Sequence, residues 1–198
     1  MKTITTTLAT SAVFSDDGTK RYVLRKLWDE KRPSLAIIML APSEASGIEL
    51  DSTTQLVLNN ASRLGYGSVT IVNLFATLNN FSLTQAEEED PVNLKEIVLA
   101  AKNADQIIYA PGTGKAKNKV FLKRQEQVLE SFLPYEPKLC CLCNEEGKSR
   151  LQHPLSPAVR TWYLSPLKVS ELIELPAPVE ETPKKKKASK ATSAEEAK

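Results

Sequence analysis

The sequence has no long apolar run, only seven glycines and only three cysteines. Its most apolar stretch, residues 35–40, is far shorter than the roughly 20 residues that a membrane-spanning helix needs. The first residues also lack the apolar core of a secretory signal. The odd set of Cys140, Cys141 and Cys143 does not suit a disulfide framework. We therefore expect a cytoplasmic protein with reduced thiols and no membrane association.

The charged residues are almost balanced, with 26 basic and 24 acidic side chains in 198 residues. Residues 180–198 contribute six lysines and four glutamates, so the remainder carries 20 residues of each sign. Such a chain lacks the cationic face of a dedicated duplex-binding protein. Any contact with nucleic acid has to use a local basic patch.

The length and the apolar content of 41% fit one globular domain, which we place at residues 1–175. From Pro176 onward the composition changes, and no large apolar residue follows Val179. This segment cannot build a core, so we predict a disordered tail over residues 176–198. We interpret its lysine run, residues 184–187, as a solvated tail, with an electrostatic arm for phosphates or a basic nuclear-targeting run as alternatives. The tail is also a candidate contact for a protein partner.

Short apolar runs alternate with helical patterns after an N-terminal hairpin. The hairpin is predicted at residues 11–14 and 22–28, around Asp16-Asp17-Gly18. The apolar runs cover residues 34–40, 68–75, 106–109 and 138–143, and the helical patterns cover residues 52–64, 91–101 and 120–133. This order predicts a three-layer α/β/α domain with a mostly parallel, four-stranded central sheet.

Ligands of such sheets bind beyond the carboxyl ends of the strands. The segments that follow the four predicted strands are residues 41–44, 73–76, 110–115 and 152–157. The only histidine of the chain, His153, lies in the last of them. These segments are therefore the candidate binding surface.

Several motifs in this order resemble a bacterial and phage family catalogued as a domain of unknown function, number 1643. They are Met-Leu-Ala-Pro-Ser-Glu-Ala at residues 39–45, Asp-Ser-Thr at 51–53, Gly-Tyr-Gly at 65–67, Val-Asn-Leu-Phe-Ala at 72–76 and His-Pro-Leu at 153–155. The resemblance covers about residues 20–165. It assigns no activity by itself.

A more distant resemblance is to the uracil-DNA glycosylase superfamily, which also has an Asn at a strand end and a later His-Pro motif. It implies that Asn73 hydrogen-bonds the edge of a flipped base. It also implies that His153 donates to a base carbonyl oxygen. On this reading the ligand is nucleic acid or a nucleotide.

The remaining candidate residues follow from the same comparison. The base-binding set is Pro42, Ser43, Asn73, Phe75 and Tyr109, where the two rings would stack on the base. The phosphate-binding set is Gly112, Gly114, Lys115, Lys117 and Lys119, with Lys123 and Arg124 beyond it. A glycine loop before a helix favours a phosphate role.

One residue departs from both families, because Ala41 stands where they have the Asn or Asp that positions or activates water. We therefore favour binding with lost or altered catalysis. The alternative is an active N-glycosidic hydrolase in which Glu44 or Asp51 supplies the carboxylate, with His153 as the third catalytic candidate. A third hypothesis is a protein-interaction module of phage or host defence.

Simpler interpretations stay open for these residues. Asn73 could satisfy backbone groups of its loop, His153 could face solvent, and the lysines from Lys115 onward could form a solvated helix face. The cysteines are expected to be small buried hydrophobes, because alternate strand residues point to opposite faces. We expect neither a metal site nor a cofactor.

Overall fold

Seven short apolar segments form one mixed sheet in the computed structural model, which describes residues 1–43, 48–78, 82–83, 90–115 and 117–174. The strands are β1 (Ala9–Phe14), β2 (Arg21–Leu27), β3 (Ser34–Met39), β4 (Ser68–Asn73), β5 (Gln106–Tyr109), β6 (Leu139–Cys143) and β7 (Tyr163–Pro166). Their order in the sheet is β1-β2-β4-β3-β5-β6-β7. The four strands β4, β3, β5 and β6 are parallel, and β1, β2 and β7 pair antiparallel.

Three α-helices connect the parallel strands, and each begins at a side-chain cap. They are α1 (Ser52–Arg63), α2 (Pro91–Asn103) and α3 (Lys119–Ser131). The caps are Asp51, Asp90 and Asn118, whose side-chain oxygens accept backbone N–H groups at 2.6, 3.0 and 3.1 Å. Polar caps satisfy backbone donors that a helix leaves unpaired at its start. Shorter 3₁₀ turns cover Leu133–Lys138, Pro157–Val159 and Val169–Glu171.

The helices lie on two faces of the sheet because the strand order reverses. The chain passes from β3 to β4 in one direction, and from β4 past β3 to β5 and β6 in the other. Crossovers of one hand therefore place α1 on one face and α2 with α3 on the other. Val57 of α1 packs with Ile37 and Ile71, while Ile97 of α2 and Val128 of α3 pack on the opposite core. We call these the α1 face and the α2–α3 face.

The predicted α/β class is confirmed, but the predicted four-stranded sheet is wrong in strand number. The four parallel strands are the middle of a seven-stranded sheet. The N-terminal hairpin joins it because β2 pairs with β4, with Leu24 opposite Ile71. A seventh strand, β7, adds to β6 with Cys143 opposite Tyr163.

The hairpin turn forms at the predicted Asp-Gly pair. Gly18 has φ +68°, which glycine adopts without strain. Asp17 Oδ1 accepts hydrogen bonds from Ser15 and Thr19. These bonds, the Ser15 hydroxyl first, lower the pKa of Asp17 to about 2.

In the part of the chain that the structure describes, no helix is both long and apolar enough to cross a lipid bilayer. The predicted tail, residues 176–198, lies outside the described residues together with its lysine run.

Candidate functional site

The strand order reverses between β3 and β5, and a cleft opens beyond the carboxyl ends of these two strands. In doubly wound sheets this reversal is the usual position of a ligand. The cleft has a volume of about 480 Å³. It is lined by Leu40, Ala41, Pro111, Gly112, Thr113, Gly114, Lys115, Gln152, His153, Leu155 and Ser156. The segments after β3, β5 and β6 thus meet here, as the sequence predicts for an α/β sheet.

Gly112 allows the loop after β5 to approach His153. Its φ is +83°, and a Cβ at this position would lie 3.1 Å from His153 Cβ. A larger residue would strain the backbone and crowd the histidine. The two segments therefore fit together only with glycine at position 112.

His153 presents a defined hydrogen-bond donor to its surroundings. Burial lowers the pKa of its imidazole, while the charge of Asp51 acts in the opposite direction. The backbone N–H of Leu155 donates to His153 Nδ1 at 3.2 Å. Since Nδ1 accepts, the proton of the neutral ring is on Nε2. His153 can therefore donate to a ligand oxygen or nitrogen through Nε2–H.

Asp51 combines a structural bond with an unused oxygen. Its Oδ1 accepts the N–H of Thr54 and begins α1, while its Oδ2 is buried and accepts no hydrogen bond among the described residues. Burial pushes the pKa of Asp51 up, but the Ser43 hydroxyl, Thr54 and the charge of Arg21 outweigh it and lower the pKa. Asp51 is therefore an ionised carboxylate with one oxygen available.

Arg21 is a site residue that the sequence analysis missed. Its side chain is buried, and Nη1 donates to the carbonyl oxygen of Ser43 at 3.1 Å. Burial lowers the pKa of Arg21 and Asp51 raises it. A register shift in the β1–β2 ladder, where Phe14 pairs with Arg21, accompanies this orientation. No sequence motif marks such a shift.

Asn73 is the last residue of β4 and lies opposite Met39 of β3. It is only 1% exposed, yet neither Oδ1 nor Nδ2 has a hydrogen-bond partner among the described residues. Strand alternation puts its side chain on the α1 face, the same side as Ile71. Buried amides are nearly always hydrogen-bonded, so this one needs an explanation.

The structure does not place Asn73 and His153 in the same cavity wall. Both lie at the carboxyl edge of the sheet, but Asn73 is not one of the residues that line the cleft. The charge of Asp51 acts on both Arg21 and His153, whereas Asn73 shares with them only its position at this edge. Together Arg21, Asp51, Asn73 and His153 form what we call the edge cluster.

The two rings expected to stack on a base lie in the core of the α2–α3 face. Phe75 and Tyr109 are fully buried there, and the Tyr109 hydroxyl donates to Gln125 Oε1 at 3.0 Å. Burial raises the pKa of Tyr109. Tyr109 contributes to the wall of a small cavity of about 100 Å³ beside Pro111, but neither ring is exposed to solvent or lines the cleft, so the structure gives the stacking role no support.

The basic run after β5 divides into different environments. Lys115 lines the cleft beside Gly114, whereas Lys117 and Lys119 are exposed outside it. Arg124 is buried and donates through Nε to the carbonyl oxygen of Leu74 at 2.9 Å. The expectation that Arg124 contacts phosphate is therefore wrong, because the guanidinium is part of the core.

The predicted residues after β3 are only partly described. Ala41 lines the cleft, and Pro42 and Ser43 are half-buried beside it. Ser43 connects the edge cluster, because it accepts from Arg21 and its hydroxyl acts on Asp51. Glu44 lies outside the described residues.

The three cysteines are free thiols on β6. Cys141 and Cys143 are buried, and Cys141 Sγ accepts from Arg150 Nε at 3.4 Å. Within the described ranges, no group of three histidine, cysteine or acidic side chains could hold a metal ion.

A comparison with protein families gives one match. The family described as "Protein of unknown function (DUF1643)" matches residues 21–155, which include β2 through β6 and every member of the edge cluster. No curated protein and no solved structure matches the chain.

Proposed function

Since the chain belongs to the DUF1643 family of proteins of unknown function, we propose a function from the site itself: it binds a nucleobase-containing ligand, in the first instance nucleic acid, at the carboxyl edge of the sheet. The observation that carries the proposal is the buried amide of Asn73, which has no hydrogen-bond partner within the described ranges. The distant resemblance to uracil-DNA glycosylases supports the same ligand.

A buried amide without partners costs free energy that a folded protein normally avoids. Leaving one buried donor or acceptor unsatisfied costs about 1–3 kcal/mol. Asn73 leaves one of each unused on a single planar group. Nucleobases offer an adjacent donor and acceptor along one edge, and a carboxamide pairs with such an edge through two hydrogen bonds.

The cleft supplies complementary groups for the rest of a nucleotide. Its volume of about 480 Å³ lies in the usual range for small-molecule sites. His153 offers Nε2–H to a carbonyl or phosphate oxygen, and Lys115 adds a positive charge at the rim. These groups suit an uncharged ring joined to an anionic backbone.

The decisive experiment compares Asn73→Leu with Asn59→Leu, which makes the same change at an exposed position of α1. Leucine keeps the number and branching of the side-chain heavy atoms of Asn73 but removes both polar atoms. We expect at least a tenfold loss of affinity for labelled single-stranded oligonucleotides in fluorescence anisotropy for Asn73→Leu, and no change for Asn59→Leu. Equal affinity of the two variants, or no binding by the wild type at low salt, contradicts the proposal.

Lys115 and Lys117 provide a second matched pair. Lys115→Gln should weaken binding and lower the slope of log affinity against log salt by about one, because one phosphate contact is lost. Lys117→Gln, outside the cleft, should have the smaller effect. A reversed order would place the nucleic acid on the exposed start of α3 instead.

An N-glycosidic hydrolase is the second candidate function, and the unused Oδ2 of ionised Asp51 favours it. In this reaction the water oxygen bonds to the sugar C1′ while the C1′–N bond breaks. Asp51 accepts the proton of the water, and the base leaves with the bonding electrons while His153 donates a hydrogen bond to its oxygen. Ala41 takes no part, so the carboxylate comes from the start of α1.

Asp51→Ser tests this reaction because serine still caps a helix but carries no carboxylate. Release of free base from a panel of modified oligonucleotides is measured by chromatography. We expect a loss of at least about 100-fold relative to the wild type, the usual size of a general-base contribution. Unchanged release of the nucleobase by Asp51→Ser excludes Asp51 as the general base. If the wild type releases no nucleobase from any substrate, the hydrolase function is excluded and only the binding function is left.

The third hypothesis, a protein-interaction module acting through the tail, rests on residues outside the described part of the chain. It stays a prediction.

A further inference from the structure

The two outer strands of the sheet differ in how well their free edges are protected. On one side β7 has four residues and ends at Pro166, which has no backbone N–H. On the other side β1 has six residues and pairs with β2 along its inner edge. Among the described strands, none pairs with its outer row of backbone groups.

The sequence around β1 has none of the charges, prolines or glycines that usually block edge pairing, although its ladder with β2 is irregular between Val13 and Phe14. Residues 3–15 contain no charged residue, no proline and no glycine. Val13 and Phe14 are 46% and 45% exposed. Natural proteins protect edge strands with charges, prolines or short lengths, because an open edge pairs with other strands. β7 follows this rule and β1 does not.

We propose that β1 pairs antiparallel with β1 of a second copy of this chain, so that the two seven-stranded sheets join across a two-fold axis. In such a pair the residues near the two-fold axis lie close to their own counterparts, so a charge there would lie near a like charge. A strand without charges avoids this repulsion completely. The net charge of +2 also leaves little repulsion between two whole chains.

The same features argue against a polyanion at this edge. Within β1 no cation is present to contact a phosphate. Of the β2 cations opposite β1, Arg21 and Lys26 are buried, and Lys26 donates to Thr10 Oγ1 at 3.0 Å. Arg25, opposite Ser11, is exposed. An uncharged edge with exposed Val13 and Phe14 suits a second β-strand of the same composition.

Charge reversal at the exposed positions of β1 tests the proposal. Two double variants of the full chain are prepared, Ser11→Lys with Val13→Lys and Ser11→Glu with Val13→Glu. Both side chains point to solvent, so the fold should be kept. With the axis near the middle of β1, each variant alone brings like charges together, and a mixture of the two brings opposite charges together.

Sedimentation velocity across a range of concentrations gives the readout. We expect a dimer for the wild type, a dissociation constant raised at least about tenfold for each variant alone, and recovery of the dimer in the mixture. The control is Tyr163→Lys on the opposite edge, which should leave the dimer unchanged. A wild type that is monomeric at all concentrations, or a dimer indifferent to the β1 charges, overturns the proposal.

Discussion

At the carboxyl edge of the sheet, two buried asparagines on opposite faces differ in their hydrogen bonds, although Asn93 Oδ1, like the Asn73 amide, has no partner among the described residues. On the α2–α3 face, Asn93 Nδ2 donates to the carbonyl oxygens of Asn73 and Leu74 at 3.1 and 3.0 Å, and Arg124 adds a bond to Leu74. On the α1 face, the Asn73 amide and Asp51 Oδ2 have no partner among the described residues. The faces are separated by a single sheet.

This difference distinguishes buried polar groups that bind backbone atoms of the fold from buried polar groups that have no such structural role among the described residues. Two asparagines of nearly equal burial lie twenty residues apart, and Asn93 Nδ2 donates to two backbone carbonyls. Asn93 Oδ1 and both polar atoms of the Asn73 side chain have no partner in the part of the chain that the structure describes. We therefore interpret the open groups of the α1 face as ligand-binding groups, in line with the proposed function.

The largest effect is expected from Asn93→Leu. This change leaves the carbonyl of Asn73 without its donor and reduces the bonding of Leu74. At about 1–3 kcal/mol for each buried group left unpaired, we expect a loss of about 2–4 kcal/mol in the free energy of unfolding. Urea denaturation followed by circular dichroism measures it. A loss below about 1 kcal/mol would break the contrast between the two faces.

Asn73→Leu should have a smaller effect on stability and in the opposite direction. Replacing an unpartnered buried amide with an apolar group of the same branching removes a desolvation cost, which offsets the larger size of leucine, so we expect unchanged stability or a gain of about 1 kcal/mol. The same denaturation experiment applies. Marked destabilisation by Asn73→Leu would show that the amide is structural and would remove the main support for the binding site.

The smallest effect is a pH dependence from His153. Its folded-state pKa lies below the ordinary value of 6.5 because burial disfavours the imidazolium. Below pH 6.5 the unfolded chain therefore binds more protons than the folded chain, and stability falls as the pH is lowered toward the folded-state pKa. The stabilising carboxylates act in a lower window, because the pKa values of Asp51 and Asp90 are lowered from 3.8.

His153→Gln isolates this contribution. Unfolding free energies of the variant and the wild type are compared at intervals between about pH 5 and pH 7, where only the wild type should show the histidine slope. Parallel curves for the two proteins would mean that His153 is no more buried in the folded chain than in the unfolded one.

The helices and the parallel strands could be predicted from the sequence because their signals are local. The Asp90–Pro91 pair marks the start of α2, and residues 34–40 read as a strand buried on both sides. By contrast, β7 has four residues of mixed exposure that end in proline. Only its pairing with β6 makes it a strand, and no local pattern reports that pairing.

The candidate site was less predictable because it depends on which face each side chain takes. Lys20 and Arg21 are neighbours, yet Lys20 pairs with Asp90 at 2.6 Å and Arg21 reaches Ser43 near the start of α1. Tyr109 follows a strand pattern equally well toward either face, and the structure places it in the core. The spacing of residues along the chain does not encode which face a side chain takes, since a shift of one residue in the strand register moves every side chain to the opposite face.

Asn73 connects the two faces of the sheet. Its carbonyl oxygen accepts a hydrogen bond from Asn93 in the first turn of α2, and its side-chain amide lies on the α1 face. A ligand that hydrogen-bonds the side-chain amide of Asn73 is therefore coupled to α2, although it does not contact this helix. Destabilising the first turn of α2 would therefore lower the affinity of a ligand for the Asn73 amide, and tight binding would in turn stabilise α2.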